Sequence, residues 1–379
     1  MIDTNLFEDN KINFSNSLAN IIVFGPGYGE SIILFLPGLG WGIIDSCTVT
    51  FKKKTYNPAL EYLKALNVKG LAFIILTHPH LDHYKGLAEI VDHYLGRIDR
   101  ICYYSGEGLR EYRAYLARKS ILSEPGLKSL AFILDHFKKA KEHGANIVKI
   151  SERTEIIRKR EFGDHIIEMI ALSPSEDSIK AYCEKLYDCI PNDDSSPIKN
   201  IKDRDQNLIS TAIWCKIDDR TFIFGSDLEN GFSIHSGWNG VLNNIDSPNL
   251  SSSFVKIPHH GSPNAYDEKL WKAICKLGKP NSVVTPFSST KKSPLPNRDV
   301  LEKIKDYSKE VYITSQAKLE KPKKIYKDIP FENSYGIRSW YYIKYPQQVG
   351  FVKAIISTKD NSVDRILLNK PAYKFDSAG

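Results

Sequence analysis

The stretch Thr77-His78-Pro79-His80-Leu81-Asp82-His83 places three imidazoles and one carboxylate within six residues. It follows the apolar run LAFIIL at 71–76, which is typical of a strand buried on both faces, and it precedes a segment whose apolar residues have helical spacing. Imidazole nitrogens and carboxylate oxygens are ligands that Zn²⁺ and related divalent ions prefer. The stretch therefore predicts a metal site where a buried strand passes into a helix.

The spacing of these residues predicts two adjacent metal positions. Side chains alternate along an extended chain, so His78 and His80 point the same way. Asp82 and His83 fall on the first turn of the following helix and reach a neighbouring point. The alternative is a surface loop that happens to be rich in histidine, and it requires four ligand-type side chains to meet at a strand exit by chance.

The segments on either side of this stretch indicate an α/β protein. Three short strands are predicted before it, at 21–27, 31–38 and 40–47, and a helix over 57–68. A single helix is predicted from Asp82 to Gly96, and strands and helices then alternate. Two mixed sheets packed face to face, with helices outside, accommodate this order. The predicted fold is thus an αββα sandwich.

The sequence predicts one main domain over residues 1–330. It includes a long, charged helical insertion at 107–143 and a polar loop at 190–206. The remaining residues, 331–379, contain further β-like segments. We predict that they form a β-rich extension packed on the main domain.

The composition of the 379 residues, with 42% hydrophobic and 26% charged, is that of a globular protein. The net charge of +7 suits a polyanionic partner such as nucleic acid without requiring one. Six scattered cysteines without a CxxC pair predict reduced thiols. The acidic N-terminus and the shortness of the apolar runs predict a cytoplasmic protein without membrane contact.

The motifs resemble those of the metallo-β-lactamase superfamily over roughly residues 20–320. HPHLDH at 78–83 matches the HxHxDH motif of that superfamily. Asp45 in IIDS resembles its early structural aspartate, and Asp227 in FGSDLE resembles the aspartate that bridges two metals. KIPHHGS at 256–262 resembles the last metal-binding motif.

The resemblance implies ligands for two ions. His78 and His80 would hold the first ion, Asp82 and His83 the second, and Asp227 would lie between them. The implied cofactor is therefore one or two divalent ions, Zn²⁺ or Mn²⁺.

The last motif leaves a choice between two histidines. We favour His260 as the remaining ligand of the second ion and His259 as the residue that faces the scissile phosphate. The residues implied in catalysis are then Asp82, Asp227 and His259.

The chain departs from the superfamily at the first ion. Many members carry a third histidine between the HxHxDH motif and the bridging aspartate, but the corresponding LSPS at 172–175 has none. His165 lies too early in the same predicted strand. The first ion is then weakly held, completed by water, or absent. Ser288, Ser289 and Thr290 replace the Asn and His of relatives, and they form either a phosphate contact or a plain polar loop.

The HHGS form resembles the metallo-hydrolase domain of the competence DNA-uptake channel family and the phosphorylcholine esterases, and it is unlike true β-lactamases. The opening GPGYGESI resembles stand-alone members from bacterial antiviral gene clusters. These resemblances imply a hydrolase of phosphodiester bonds, with DNA as the favoured substrate and a defence protein as a further partner. Basic residues of the insertion at 107–143 either follow a nucleic-acid backbone or form a solvated helix face.

Two other classes of function stay open. A small-molecule phosphodiesterase or esterase would have a narrow, deep metal pocket. A binding module that keeps the fold without catalysis would fail to retain metal.

Overall fold

The computed structural model describes residues 17–51, 54–106, 125–189, 203–287, 294–315, 349–358, 364–369 and 371–376. Several predicted features lie outside these residues. They are the first part of the insertion (107–124), most of the polar loop (190–202), the hydroxyl segment Ser288, Ser289 and Thr290, and the start of the C-terminal extension (331–348).

Two mixed sheets form the centre of the protein, and their strands are numbered along the chain. The first sheet contains, from edge to edge, β17 (Asp364–Asn369), β16 (Phe351–Ser357), β1 (Leu18–Phe24), β2 (Ser31–Leu36), β3 (Gly40–Ile44), β6 (Phe73–Leu76), β7 (Arg100–Tyr103) and β8 (Asn146–Lys149). The strands from β3 to β8 run parallel, and the others pair antiparallel.

The second sheet repeats this arrangement. It contains β18 (Tyr373–Lys374), β15 (Glu310–Ile313), β14 (Asn281–Val284), β13 (Phe254–Lys256), β12 (Arg220–Phe224), β11 (Ile213–Ile217), β10 (His165–Ala171) and β9 (Glu155–Phe162). Here β12 to β15 run parallel. A separate small hairpin joins β4 (Val49–Phe51) and β5 (Lys54–Tyr56).

Helices lie on the outer faces of the two sheets. They are α1 (Pro58–Ala65), α2 (Leu81–Tyr84), α3 (Leu87–His93), α4 (Pro125–Glu142), α5 (Glu176–Tyr187), α6 (Asp203–Gln206), α7 (Gly237–Asn243), α8 (Glu268–Ile274) and α9 (Arg298–Tyr307). No helix among the described residues is long and apolar enough to cross a membrane.

Three apolar layers hold the sheets and helices together. Ile21 and Phe73 of the first sheet meet Met169, Phe222 and Phe254 of the second in the layer between the sheets. A second layer packs α1, α3 and α4 on the first sheet, and a third packs α7, α8 and α9 on the second. This αββα order confirms the predicted fold class.

The parallel strands determine where functional side chains collect. In a parallel pair the carboxyl ends of the strands meet at one edge of the sheet. The segments that carry the predicted site residues follow β3, β6, β12 and β13. The two central groups of parallel strands thus direct these segments toward one region.

The predicted strands at the start of the chain and the helix after Asn57 are confirmed, but two local predictions were wrong. The helix expected from Asp82 to Gly96 is broken, because Gly86 has a left-handed φ of 99° that separates α2 from α3. The other is β9, a strand that was not predicted from the sequence. Its exposed Arg158, Lys159 and Arg160 are suited to the edge of a sheet.

The C-terminal residues contribute strands to both sheets. β16 pairs antiparallel with β1 over seven residue pairs, from Leu18–Ser357 to Phe24–Phe351. β18 pairs with β15 in the second sheet. The predicted boundary near residue 330 lies outside the described residues and stays a prediction.

Asn57 connects α1 to the loops beside the predicted metal site. Its Oδ1 accepts a hydrogen bond from Leu60 N, and its Nδ2 donates to Ser46 Oγ and to Gly86 O. We expect Asn57→Ala to lower the free energy of unfolding by about 2–3 kcal/mol, because it removes a helix cap and two further hydrogen bonds. Urea denaturation measures this change.

Asn297→Ala is the matched control. Asn297 caps α9 through one bond from Val300 N and is half-buried, so we expect a loss of about 1 kcal/mol. Equal losses in the two variants would show that the bonds to Ser46 and Gly86 add nothing.

Candidate metal centre

The structure brings ligand-type side chains from three segments into two overlapping groups. In each group, the donor atoms all lie within 4.8 Å of one another. The first group is His78, His80, His83 and Asp227, and the second is Asp82, His83, Asp227 and His260. Asp227 and His83 belong to both groups, so the centre has the form of two adjoining sites.

The Asp227 carboxylate lies between the two groups. Its Oδ2 is 3.8 Å from His78 Nε2 and 3.5 Å from His83 Nε2, and its Oδ1 is 3.6 Å from His260 Nε2. The Asp82 carboxylate approaches the second group from the other side, with Oδ2 3.5 Å from His260 Nε2. The two carboxylates therefore face the same imidazole nitrogens.

Several of these donor atoms are buried without a hydrogen-bond partner in the described part of the chain. They are His78 Nε2, His83 Nε2, His260 Nε2, Asp82 Oδ2 and Asp227 Oδ1. Buried polar atoms are nearly always paired, so such a convergence requires an explanation. Imidazole and carboxylate donors aimed at common points fit divalent cations.

Burial and neighbouring charges act on these groups in opposite directions. Burial raises the pKa of the Asp227 carboxyl, but the charges of His83 and His260 outweigh it and hold that pKa well below its ordinary value. Burial lowers the pKa of His78, which keeps this imidazole neutral. Burial lowers the pKa of His83 and of His260, but the charge of Asp227 outweighs it and raises both pKa values. Binding of a cation would therefore require these two imidazoles to release a proton.

Asp45 orients His83 from behind. The Asp45 Oδ2 atom accepts a hydrogen bond from His83 Nδ1 at 2.7 Å, which leaves Nε2 facing the two groups. The same carboxylate accepts bonds from Thr77 N at 2.8 Å and Thr77 Oγ1 at 2.7 Å. Carboxylates that accept from the second nitrogen of a ligating histidine fix its ring and tautomer. Asp45 therefore ties the end of β6 to the helix that carries His83.

Asp227 is held by a hydroxyl network at the end of β12. Its backbone N donates to Ser210 Oγ at 2.9 Å, and Ser210 Oγ lies 2.7 Å from Ser226 Oγ. All three residues are buried. The position of the shared carboxylate is thus set by the backbone as well as by its side-chain neighbours.

His259 and His260 point in different directions because their backbone is left-handed. Their φ angles are 43° and 52°, in a region that few residues other than glycine adopt. The His260 ring enters the second group, whereas His259 belongs to neither group and is half-buried. His259 Nδ1 lies 3.4 Å from Glu229 Oε1, and its Nε2 lies 3.4 Å from Asn207 Nδ2. A left-handed backbone at residues other than glycine is strained, and strain of this kind is common where the backbone positions functional side chains.

The six predicted ligands all lie in these groups, and their individual roles stay predictions. His165 lies in neither group. Its Nδ1 bonds instead to Asp218 Oδ2, at 2.7 Å, at the turn between β11 and β12. Ser173, where many relatives carry histidine, donates to Ser210 O and accepts from Ala212 N. Among the described residues, His83 is the third imidazole of the first group, beside His78 and His80.

Apart from Asp45, the residues that support the ligands were not predicted from the sequence. Glu30 and Lys256 form a buried ion pair behind His260, and Thr285 joins them. Lys256 interrupts the apolar run SSFVKIP, so a charged residue in a buried strand is the signal that could have revealed it. Asn207 and Glu229 beside His259 carry no comparable signal.

We expect Asp227→Asn to lose bound metal, because the shared carboxylate is replaced by a neutral amide. Elemental analysis of dialysed protein purified with Zn²⁺ or Mn²⁺ measures this loss. His165→Ala is the control, since it removes a buried histidine of the same sheet outside both groups and should keep the wild-type metal content. Unchanged metal in Asp227→Asn would contradict a shared ligand.

Comparisons with known proteins find a match to one family model. Residues 21–100 match the family model of the metallo-beta-lactamase superfamily. No curated protein matches the chain.

Two solved structures are similar to it. The metallo-beta-lactamase fold protein YhfI from Bacillus subtilis is 11% identical, with a TM-score of 0.40 and coverage of 79% of this chain and 98% of that protein. Zn²⁺-bound PqqB from Methylobacterium extorquens is 9% identical, with a TM-score of 0.28 and coverage of 62% and 71%. The match at 21–100 contains Asp45 and the whole HxHxDH stretch, so this segment is similar to the metallo-beta-lactamase superfamily.

Proposed function

We propose that the protein is a metal-dependent phosphodiesterase and that DNA is its favoured substrate. The observation that carries this proposal is the overlap of two donor groups at Asp227 and His83, with His259 beside them and outside both. Two adjoining cation sites are suited to hydrolysis of a phosphodiester. In that reaction negative charge develops on the attacking oxygen and on the leaving oxygen, which lie on opposite sides of the phosphorus.

When bound, a pair of divalent ions polarises the phosphoryl oxygens and lowers the pKa of a water molecule. The chain's residues would contribute position and charge. His78 and His80 hold one side of the centre, Asp82 and His260 hold the other, and Asp227 faces both. Because these side chains are anchored behind by Asp45 and the serines at the end of β12, little reorganisation is needed when the substrate binds.

His259 is the residue placed to exchange a proton with the substrate. Its side chain is 17% exposed and is not part of either donor group. Glu229 Oε1 lies 3.4 Å from Nδ1, and a carboxylate in that position orients the imidazole ring. His259 would therefore donate a proton to the leaving oxygen, while Asn207, which donates to Glu229 Oε1 at 3.1 Å, keeps the carboxylate in place.

The limited exposure of the side chains at the metal centre favours a substrate that is narrow enough to reach them. His80 and His259, with side chains 15% and 17% exposed, are the more open members of the centre, and the remaining ligand-type side chains are buried. This favours a single strand or a chain end over an intact duplex. It also favours a second candidate function, hydrolysis of a small phosphodiester, which needs no groove at all. The net charge of +7 supports the nucleic-acid substrate.

The deciding experiment compares linear, circular and single-stranded DNA with bis(p-nitrophenyl) phosphate as a small substrate. Each is incubated with the protein and Mn²⁺, Zn²⁺ or EDTA. We expect metal-dependent cleavage that Asp82→Ala abolishes, because that substitution removes a buried carboxylate of the second group without altering the packed layers. Circular dichroism of the variant verifies its fold.

Each result assigns a function. Cleavage of DNA supports the nuclease, and cleavage of the small ester alone supports the second candidate. Full activity of Asp82→Ala would contradict a two-ion centre. A folded protein that retains no metal and cleaves nothing would support a binding module.

His259→Gln separates proton exchange from metal binding. We expect kcat to fall about 10²-fold, since a positioned general acid contributes at least that factor. Metal content should stay at the wild-type level, whereas His260→Gln should lower it. If His259→Gln loses metal instead, the roles of the two histidines are exchanged.

A further inference from the structure

A buried ion pair lies behind the second donor group, on the side away from substrate. Lys256 Nζ is 2.6 Å from Glu30 Oε2, and the two side chains are 0% and 1% exposed. Lys256 ends β13 in the second sheet, and Glu30 belongs to the turn between β1 and β2 in the first. The pair therefore connects the two sheets at the point where the metal centre forms.

Thr285 extends this pair to the metal centre. Its Oγ1 donates to Glu30 Oε2 at 2.6 Å. His260 Nδ1 lies 3.0 Å from the same Oγ1 and 2.9 Å from Thr285 O, so it donates to both. Because the Thr285 hydroxyl hydrogen is directed at Glu30, its lone pairs are directed at His260 Nδ1. In the neutral imidazole this order places the hydrogen on Nδ1, so that the lone pair of His260 Nε2 is aimed at the second donor group.

We propose that Glu30, Lys256 and Thr285 are positioning residues that fix the ring and the tautomer of His260 for binding of the second ion. The inference rests on the proposed metal centre and adds to it three residues that lie outside the two donor groups described above. Outer partners of ligating histidines act in this way on metal affinity.

Stability alone does not account for the ion pair. Removing two charges from water costs much of what their attraction returns, and well-packed apolar side chains of similar size often do as well. Position explains the arrangement better, because Glu30, which pairs with Lys256, accepts the hydrogen bond of the hydroxyl that faces His260. Lys256 neutralises Glu30 and also donates to Ile257 O at 3.1 Å, three residues before His260.

The surrounding backbone is shaped to admit this contact. Glu30 N donates to Asp82 O at 3.1 Å, so the turn that carries Glu30 is also bonded to the ligand segment. Gly29, with φ of 80°, passes so close to Asp82 that an added Cβ would lie 2.6 Å from Asp82 O. The turn thus reaches the metal centre from two directions, through Asp82 and through Thr285.

The test is a Co²⁺ titration of the full chain, followed by absorption in the visible region, which reports the coordination of the ion. His260→Gln identifies the binding event that depends on His260. Thr285→Val keeps the shape of the side chain and removes its hydroxyl, and we expect it to weaken that same event about 10–100-fold. Thr285→Ser restores the hydroxyl and should bind Co²⁺ as the wild-type does.

Ser282→Ala is the matched control, on the strand β14 that ends just before Thr285. Ser282 Oγ is buried and bonds to Ser308 Oγ at 2.7 Å, away from the metal centre. Its removal should lower thermal stability and leave Co²⁺ affinity unchanged. Glu30→Gln should weaken Co²⁺ binding as Thr285→Val does, since the neutral amide no longer fixes the direction of the Thr285 hydroxyl.

The outcomes separate this inference from the proposed function. Wild-type affinity in Thr285→Val, or equal losses in the Val and Ser variants, would overturn the positioning role. Because the titration needs no substrate, an absence of phosphodiester cleavage leaves it intact. Absence of any binding event that depends on His260 would overturn the positioning role as well.

Discussion

The site depends on one electrostatic constraint. The Asp82 and Asp227 carboxylates are both buried, and they lie beside the same imidazoles. Two ionised carboxylates in an interior are costly unless positive charge compensates them. The imidazoles of His83 and His260, at 3.5–3.6 Å, supply part of that charge but do not saturate the oxygens with hydrogen bonds. A cation would complete the arrangement, so the fold holds a region of unmet charge among closely packed side chains.

The fold tolerates this region because rigid elements surround it. The ligands leave the ends of buried parallel strands, and each is fixed by a residue behind it: His83 by Asp45, Asp227 by Ser210, and His260 by Thr285. The supporting residues come from both sheets. The apolar layer between the sheets therefore has a functional consequence, because any change in the distance between the sheets would separate the ligands from their supports.

Local sequence predicts the parts of this centre that lie close together in the chain. The HxHxDH spacing places four side chains at one strand exit, and the apolar alternation predicts most strands. The supporting contacts could not be predicted, because they join distant residues: Thr285 and Glu30 are 255 positions apart. The break at Gly86 was missed because apolar spacing continues on both sides of it. β9 was missed because its charged outer face obscures the alternation.

Two adjacent histidines with separate tasks illustrate why backbone conformation matters as much as composition. In an extended segment His259 and His260 would point to opposite faces, and in a helix they would diverge by about 100°. The left-handed pair instead sends His260 into the buried donor group and leaves His259 at its open edge. The strain of two such residues is offset by the bond from His259 N to Ser226 O and by the Thr285 contacts to His260. The same contacts thus hold His260 in the donor group and His259 at its open edge.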